Sequence, residues 1–380
     1  MAHYDVIVVG ASGGAGSAAA YHLSRRGARV LGLDRSPPGH DLGSSHGKTR
    51  VIRMAYFEHP DYVPLLRRAY QLWNELESES GKNLLHQTGL VEIGAPDGEV
   101  VPGVLASAFI HKLAVEQMAG ADAMRRFPGL RVPEGLDVVY EPSGGFLDVE
   151  DCVIAHAQGA ERVGATLRTG EEVTGWRATS GAVEVTTDRG TYAADKLVLA
   201  PGAWASTLLA DLGVRFTTVR KTMWWFDAPR PEHHAENGCP VFLYELPEEG
   251  VFYGTPAVGG SGIKVAEHTG GRLVPAPRGD DRHEDREERA RVESFAQSYL
   301  PGVGTRLLTH AVCFYPMSPD DHFLIGAHPE HARVVFAAGL SGHGFKFTSA
   351  LGEVLADLAL DGRARVPIDF LSWNRPALHS

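Results

Sequence analysis

Cysteine is nearly absent: the chain has three in 380 residues, Cys152, Cys239 and Cys313, odd in number and far apart. No disulfide framework can be built on that pattern, which fits a reduced compartment. No apolar run reaches the ~20 residues a spanning helix needs, and no cationic leader precedes the first strand, so a soluble cytoplasmic protein is expected. Basic residues are the minority, 36 Lys and Arg against 47 Asp and Glu, for a formal net charge of −11. A nucleic-acid surface needs a basic stripe, and none is present. Internal repeats, low-complexity tracts and metal-ligand spacings are missing too. His328, His331 and His343 are expected to pack or hydrogen-bond rather than hold a metal. What remains is an ordinary globular composition, 43% hydrophobic and 22% charged, in a chain long enough for two closely joined domains.

The chain opens on a short apolar strand, YDVIVV at 4–9, that runs into Gly10-Ala11-Ser12-Gly13-Gly14-Ala15-Gly16 and a helix over about 17–26. A second strand at 29–33 ends on Asp34, with Arg35 behind it. This is the strand, glycine loop, helix and acid of a dinucleotide site: glycines let a pyrophosphate approach the helix N-terminus, and the acid accepts ribose hydroxyls. The glycines fall as G-x-x-G-x-x-G rather than G-x-G-x-x-G, one residue more in the loop. Which amides meet phosphate is left open, and a purely structural turn is the alternative reading.

Two further apolar strands feed the same layer. One, at 196–200, stops at Pro201-Gly202-Ala203-Trp204, and Val173 opens the meander before it. Val173, Gly202 and Trp204 are therefore expected beside the nucleotide. The other, VVFAA at 334–338, ends at Gly339-Leu340-Ser341-Gly342-His343-Gly344 before a helix over 348–360. Such a loop turns backbone N–H groups and a positive helix end, about half an elementary charge, toward an electron-rich ligand. Elsewhere the patterns predict helices over 61–77, 104–118 and 149–164, and strands at 90–93, 223–226 and 251–254. They also predict a solvated turn at His233-His234 and a charged loop running into a surface helix over 278–291. The expected fold is α/β. A Rossmann-like domain from residues 1–80, 146–216 and 309–380 is interleaved with an α+β domain from 81–145 and 217–308, built on a mixed, mainly antiparallel sheet.

Charges in apolar surroundings mark candidate chemistry. Arg50 and Arg53 follow Gly43-Ser44-Ser45-His46-Gly47. Two arginines three apart are costly to bury without an anion, though an exposed basic turn would also explain them. Lys264 interrupts an apolar strand in GIKVAEH at 262–268, where an ammonium needs a special environment. Lys346 lies in the turn after the last glycine loop. Cys313 precedes Tyr315 and Pro316 at the end of an apolar run; a structural buried thiol is the ordinary reading of such a cysteine. On the nucleotide signal alone, an NAD-binding module is a further alternative.

The segments AVCFYPMSPDDHFLIGAHPEH and SGHGFKF, with SSHGKTRVIRMAY near the start and NRPAL near the end, closely resemble the monomeric sarcosine oxidase and N-methyltryptophan oxidase group of flavin amine oxidases. The resemblance implies FAD as cofactor, joined through its 8α carbon to Cys313. It implies that the stretch with Ser44 and Ser45 wraps the flavin, with Arg50 against its ring, and that Arg53 and Lys346 take the substrate carboxylate. It further implies that Tyr253, His268 and Tyr315 shape the amine side of the pocket, and that Lys264 faces flavin N5 and promotes reaction with oxygen. Gly342 and Gly344 would stabilise charge at the pyrimidine edge. The implied activity is oxidation of an N-methyl or cyclic secondary amino acid by O2, giving an imine and hydrogen peroxide, in a monomer with no nucleic-acid or membrane partner. N-methyl-L-tryptophan and L-pipecolate stand beside sarcosine as substrates. A dehydrogenase passing electrons to a partner protein is the alternative from another class.

Overall fold

The computed structural model describes residues 3–275 and 282–378. Strand Tyr4–Val9 lies inside an eight-stranded sheet, and its residues from Val6 to Val9 are buried. It pairs in parallel with Val30–Leu33 on one side and Thr191–Leu199 on the other, and Val334–Ala338 continues the parallel run. Strands covered on both faces need unbroken apolar sequence, which Val6–Val9, Leu197–Leu199 and Val334–Ala338 have. Helix Gly14–Arg25 begins three residues before the expected position, because Gly14, Ala15 and Gly16 bring no bulk to the first turn. It is packed between helices Val149–Arg162 and Thr348–Asp361.

A second, nine-stranded sheet is antiparallel except where Leu90–Gly94 pairs in parallel with Val241–Leu246. Alternation divides its strands between two faces. Trp224 and Phe226 of Thr217–Phe226, Phe252 of Gly250–Thr255 and Val265 of Ile263–Glu267 pack with Phe295 of helix Arg286–Tyr299. Met223, Trp225, Tyr253 and Ala266 form a separate cluster with Cys313 and Tyr315 of strand Leu307–Met317. A small sheet of Thr49–Ile52, Gly145–Asp148 and Leu85–His86 carries Arg50.

Three expectations change, while the charged loop does run into a helix. The helix over 104–118 is two elements: helix Val100–His111 ends where Lys112 takes a left-handed φ of 54°, and Glu116–Met118 adds a strand to Asp137–Glu141. Its true start was masked by Pro102-Gly103, which sit in the first turn, where the missing proline N–H costs nothing. His233 is buried rather than solvated, its Nε2 against the carbonyl O of Pro301 at 3.0 Å. Residues 278–281 of the charged stretch lie outside the described residues, and its helix starts at Arg286 behind an Asp285 cap. Strand Leu307–Met317 pairs along its length with Thr217–Phe226, so the chain expected to return to the first domain at 309 stays in the nine-stranded sheet to Met317.

Candidate active site

The glycine loop and the acid after the second strand build one end of a cavity of about 400 Å³. Gly10 has φ 83°, and a Cβ there would lie 2.2 Å from the carbonyl O of Ala200. A side chain is excluded on both counts. Asp34 accepts the backbone N–H groups of Ser12 and Ser36, each at 3.0 Å, which fixes the loop to the strand end. Ser45 Oγ accepts the N–H of Gly14 at 3.0 Å. Gly10, Gly13, Gly14, Arg35, Ser44, Ser45 and Val173 line this cavity with Asp34, and Gly202 and Trp204 close it from the neighbouring strand. The Arg35 guanidinium stacks 4.4 Å from the Trp204 ring centre. Ser12 is off the wall and acts on the loop through Asp34.

Cys313, Tyr315, Gly342 and Gly344 form the other end. Two residues apart on one strand, Cys313 and Tyr315 share a face. Arg50 donates from Nη2 to Cys313 Sγ at 3.2 Å and to the carbonyl O of Ser44 at 3.1 Å. Gly342 has φ 78°, and a Cβ would fall 2.3 Å from the Tyr315 ring, so the ring can rest on this loop only because glycine is there. Lys264 lines neither this cavity nor the next. Its Nζ donates to the carbonyl O of Thr49 at 2.6 Å and of Gly47 at 3.0 Å, behind the strand that carries Arg50. Burial, with Arg50 nearby, holds its pKa well below the usual lysine value.

A smaller cavity of about 60 Å³ adjoins the first through Arg50, Tyr315, Gly342 and Phe345. Arg53, Tyr253, His268 and Lys346 converge on it. Lys346 donates to the carbonyl O of His343 at 2.7 Å and to Tyr56 Oη at 3.3 Å. Burial, reinforced by Arg53, brings its pKa down to about 7. Burial likewise lowers His268 to about 4, leaving a neutral ring at neutral pH.

Two residues at this pocket escape sequence reasoning. Glu58 takes both its oxygens to Arg53 Nη2, at 2.6 and 2.8 Å. Burial would raise its carboxyl, but Arg53, with His343 and Lys346 beyond, pulls it to about 2. Tyr56 Oη meets His343 Nδ1 at 2.5 Å and carries the Arg53 guanidinium 4.2 Å from its ring centre. The available signal was charge balance: an arginine expected to be buried calls for an acid, and Glu58 is five residues on. His343 has the hydrogen-bonding role expected of it, its Nε2 at 3.0 Å from the carbonyl O of Asp321.

Among the described residues Asp211, His328 and His331 bring metal-ligand atoms within 4.8 Å of one another. His328 Nδ1 accepts the N–H of Glu330 at 3.2 Å while Nε2 lies 3.1 Å from Asp211 Oδ2. The Nδ1 lone pair is thereby taken by an N–H of the chain itself.

Residues 5–358 match the family described as DAO, FAD dependent oxidoreductase. The chain belongs to the DAO family. Monomeric sarcosine oxidase of Streptomyces avermitilis is 43% identical to it over 98% of each chain. N-methyl-L-tryptophan oxidase of Yersinia pestis is 38% identical over 98% of this chain and 99% of its own. Among solved structures, the open form of NikD, an unusual amino acid oxidase essential for nikkomycin biosynthesis, superposes with a TM-score of 0.85 at 28% identity, covering 98% of both. This DAO-family oxidoreductase takes FAD, and its residues fit the group. A glycine loop with no room for a Cβ at Gly10, the acid Asp34, and Cys313 with Arg50 line one cavity, the groups that a nucleotide and a flavin ring call for.

Proposed function

We propose that this FAD-dependent oxidoreductase is an oxidase of small secondary amino acids, with sarcosine as the preferred substrate and O2 as acceptor. The observation that carries the reading is the convergence of two cations, Arg53 and Lys346, on a small cavity that opens onto the flavin cavity. A carboxylate held there would leave its amine facing Tyr253, His268 and Tyr315. The small size of this cavity favours sarcosine over the bulkier N-methyl-L-tryptophan. Neutral His268 puts no cation beside the amine.

FAD, when bound, would supply the two-electron acceptor for oxidation of the carbon–nitrogen bond. The amine loses two electrons and two protons to become an imine, and O2 gains them to become hydrogen peroxide. Water then splits the sarcosine imine into glycine and formaldehyde. The protein's part is to clamp the carboxylate, to exclude water around the amine, and to hold the FAD site in place. We assign Cys313 as the covalent attachment point and Lys264 as the residue that favours oxygen reduction. Support comes from the Cys313 thiol on the cavity wall beside Arg50, and from the interaction of the buried Lys264 with both residues. A monomer in the cytoplasm belongs to the same reading; relatives are named monomeric, and no helix of the described residues is long and apolar enough to cross a membrane.

The test is anaerobic titration of the purified yellow enzyme with sarcosine, N-methyl-L-tryptophan and L-pipecolate. Bleaching at the lowest concentration of sarcosine, reversed on admitting air, is the expected result. Bleaching that air does not reverse would identify a dehydrogenase, and no bleaching by any of the three would overturn the substrate class.

A further inference from the structure

Glu92 is fully buried in strand Leu90–Gly94, and neither of its carboxyl oxygens has a hydrogen-bond partner. A buried acid without a donor is costly as an anion and far less so as a neutral acid. Its nearest cation is Arg53, whose Nη1 lies 3.9 Å from Glu92 Oε1 while Nη2 is bound to both oxygens of Glu58. The charged and titratable groups around it are Arg53, Glu141, Glu58 and Lys346. Glu141 is committed elsewhere: it accepts the N–H groups of Met54 and Ala55 and so holds the backbone just past Arg53. Arg53 thus has an ionised partner on the pocket side and an unengaged carboxyl behind it.

We propose that Glu92 is a positioning residue for carboxylate capture: a neutral buried acid that backs Arg53 while the guanidinium passes from Glu58 to the incoming carboxylate. The inference rests on the amino-acid reading of the pocket. When Glu58 lets go, Arg53 is loosened on one side, and a movement of one ångström toward Glu92 makes a charge-assisted hydrogen bond of about 2.7–2.9 Å. A neutral acid suits this task better than a carboxylate. It offers an oxygen to hold the guanidinium without cancelling the positive charge the substrate needs. Because the acid stays uncharged, glutamine is its isostere at this position and leucine is not.

Acetate binding to the holoenzyme, followed by its perturbation of flavin absorbance, tests the inference without requiring turnover. E92L is expected to weaken acetate by about tenfold or more and E92Q to bind it as the wild type does. Infrared difference spectra on acetate binding should contain the carbonyl stretch of a protonated carboxylic acid in the wild type that is lost in E92Q; this readout survives even if E92L does not fold. Equal damage by both variants would make Glu92 an anion and overturn the inference. So would unchanged binding in E92L, or absence of the acid band. If sarcosine fails as a substrate but acetate depends on Glu92 as described, the substrate reading falls and the positioning role stands.

Discussion

The Sγ of Cys313 receives an N–H from Arg50 at 3.2 Å, in a buried corner where Arg50 also holds the carbonyl O of Ser44. The contact holds the sulfur on the cavity wall, where the attachment of the flavin is assigned. Denaturing the wild-type enzyme in acid should therefore give a yellow pellet. C313S should release all its flavin into the supernatant, and R50M should retain only a fraction, checked by absorbance of the two phases.

Arg53 reaches the pocket already bound, to Glu58. A substrate carboxylate has to displace or share that partner, so Glu58 is a built-in competitor. E58Q keeps the shape of the side chain and removes its charge. It should tighten binding of acetate by about tenfold, the equivalent of ~1.4 kcal/mol, measured by flavin absorbance titration. Loosened binding would mean that Glu58 is needed to hold Arg53 in place.

Lys346 gives the pocket a pH dependence with a definite sign. Burial lowers its pKa to about 7, so the ammonium that receives a carboxylate is present below that pH and is lost above it. Acetate keeps its own charge throughout the range 6–9, and its dissociation constant should rise as pH passes through about 7. K346Q should bind acetate more weakly at pH 6 and lose that rise. For stability the sign is opposite: between about pH 7 and the ordinary lysine value the unfolded chain binds the proton that the folded chain does not, so this term favours folding as pH rises.

Sequence pattern carried the parts of this molecule that depend on neighbours along the chain. The strand, Gly10 loop, helix and Asp34 follow from local spacing, and Cys313 and Tyr315 share a face because strand alternation requires it. Gly342 was legible as a loop residue, but its reason, the Tyr315 ring 2.3 Å from any Cβ, belongs to a strand 27 residues away. Glu58 and Glu92 were missed because their meaning lies in Arg53. Charge neutralisation inside a core is a three-dimensional sum that no periodicity reports. Lys264 was found from its apolar surroundings, yet its contacts with Gly47 and Thr49 are more than 200 residues away in sequence.

Lys264 stands behind Arg50 rather than on the cavity wall, so a part in oxygen chemistry would be exerted through the segment it holds at Gly47 and Thr49. K264M should leave anaerobic reduction by sarcosine within about threefold of wild type while slowing reoxidation in air by about 10² or more, read by stopped-flow absorbance. Equal slowing of both steps would reduce Lys264 to a support for the strand at Thr49.

A buried ion pair on the opposite face of the nine-stranded sheet supports the same architecture from behind. Glu288 of helix Arg286–Tyr299 accepts from Arg220 at 3.0 Å, from the Thr222 hydroxyl at 2.7 Å and from the Thr222 N–H at 2.9 Å, with all three groups buried. These contacts fix the helix to strand Thr217–Phe226, whose other partner strand carries Cys313. E288A removes the carboxylate partner of a buried guanidinium and the acceptor of the Thr222 amide, and should cost about 3–5 kcal/mol in urea denaturation. E288Q keeps an oxygen for the Thr222 N–H but replaces the oxygen that accepts from Arg220 by an amide NH2, so its cost should be smaller than that of E288A without vanishing. An E288A enzyme as stable as wild type would mean that the helix is held by its Phe295 contacts alone.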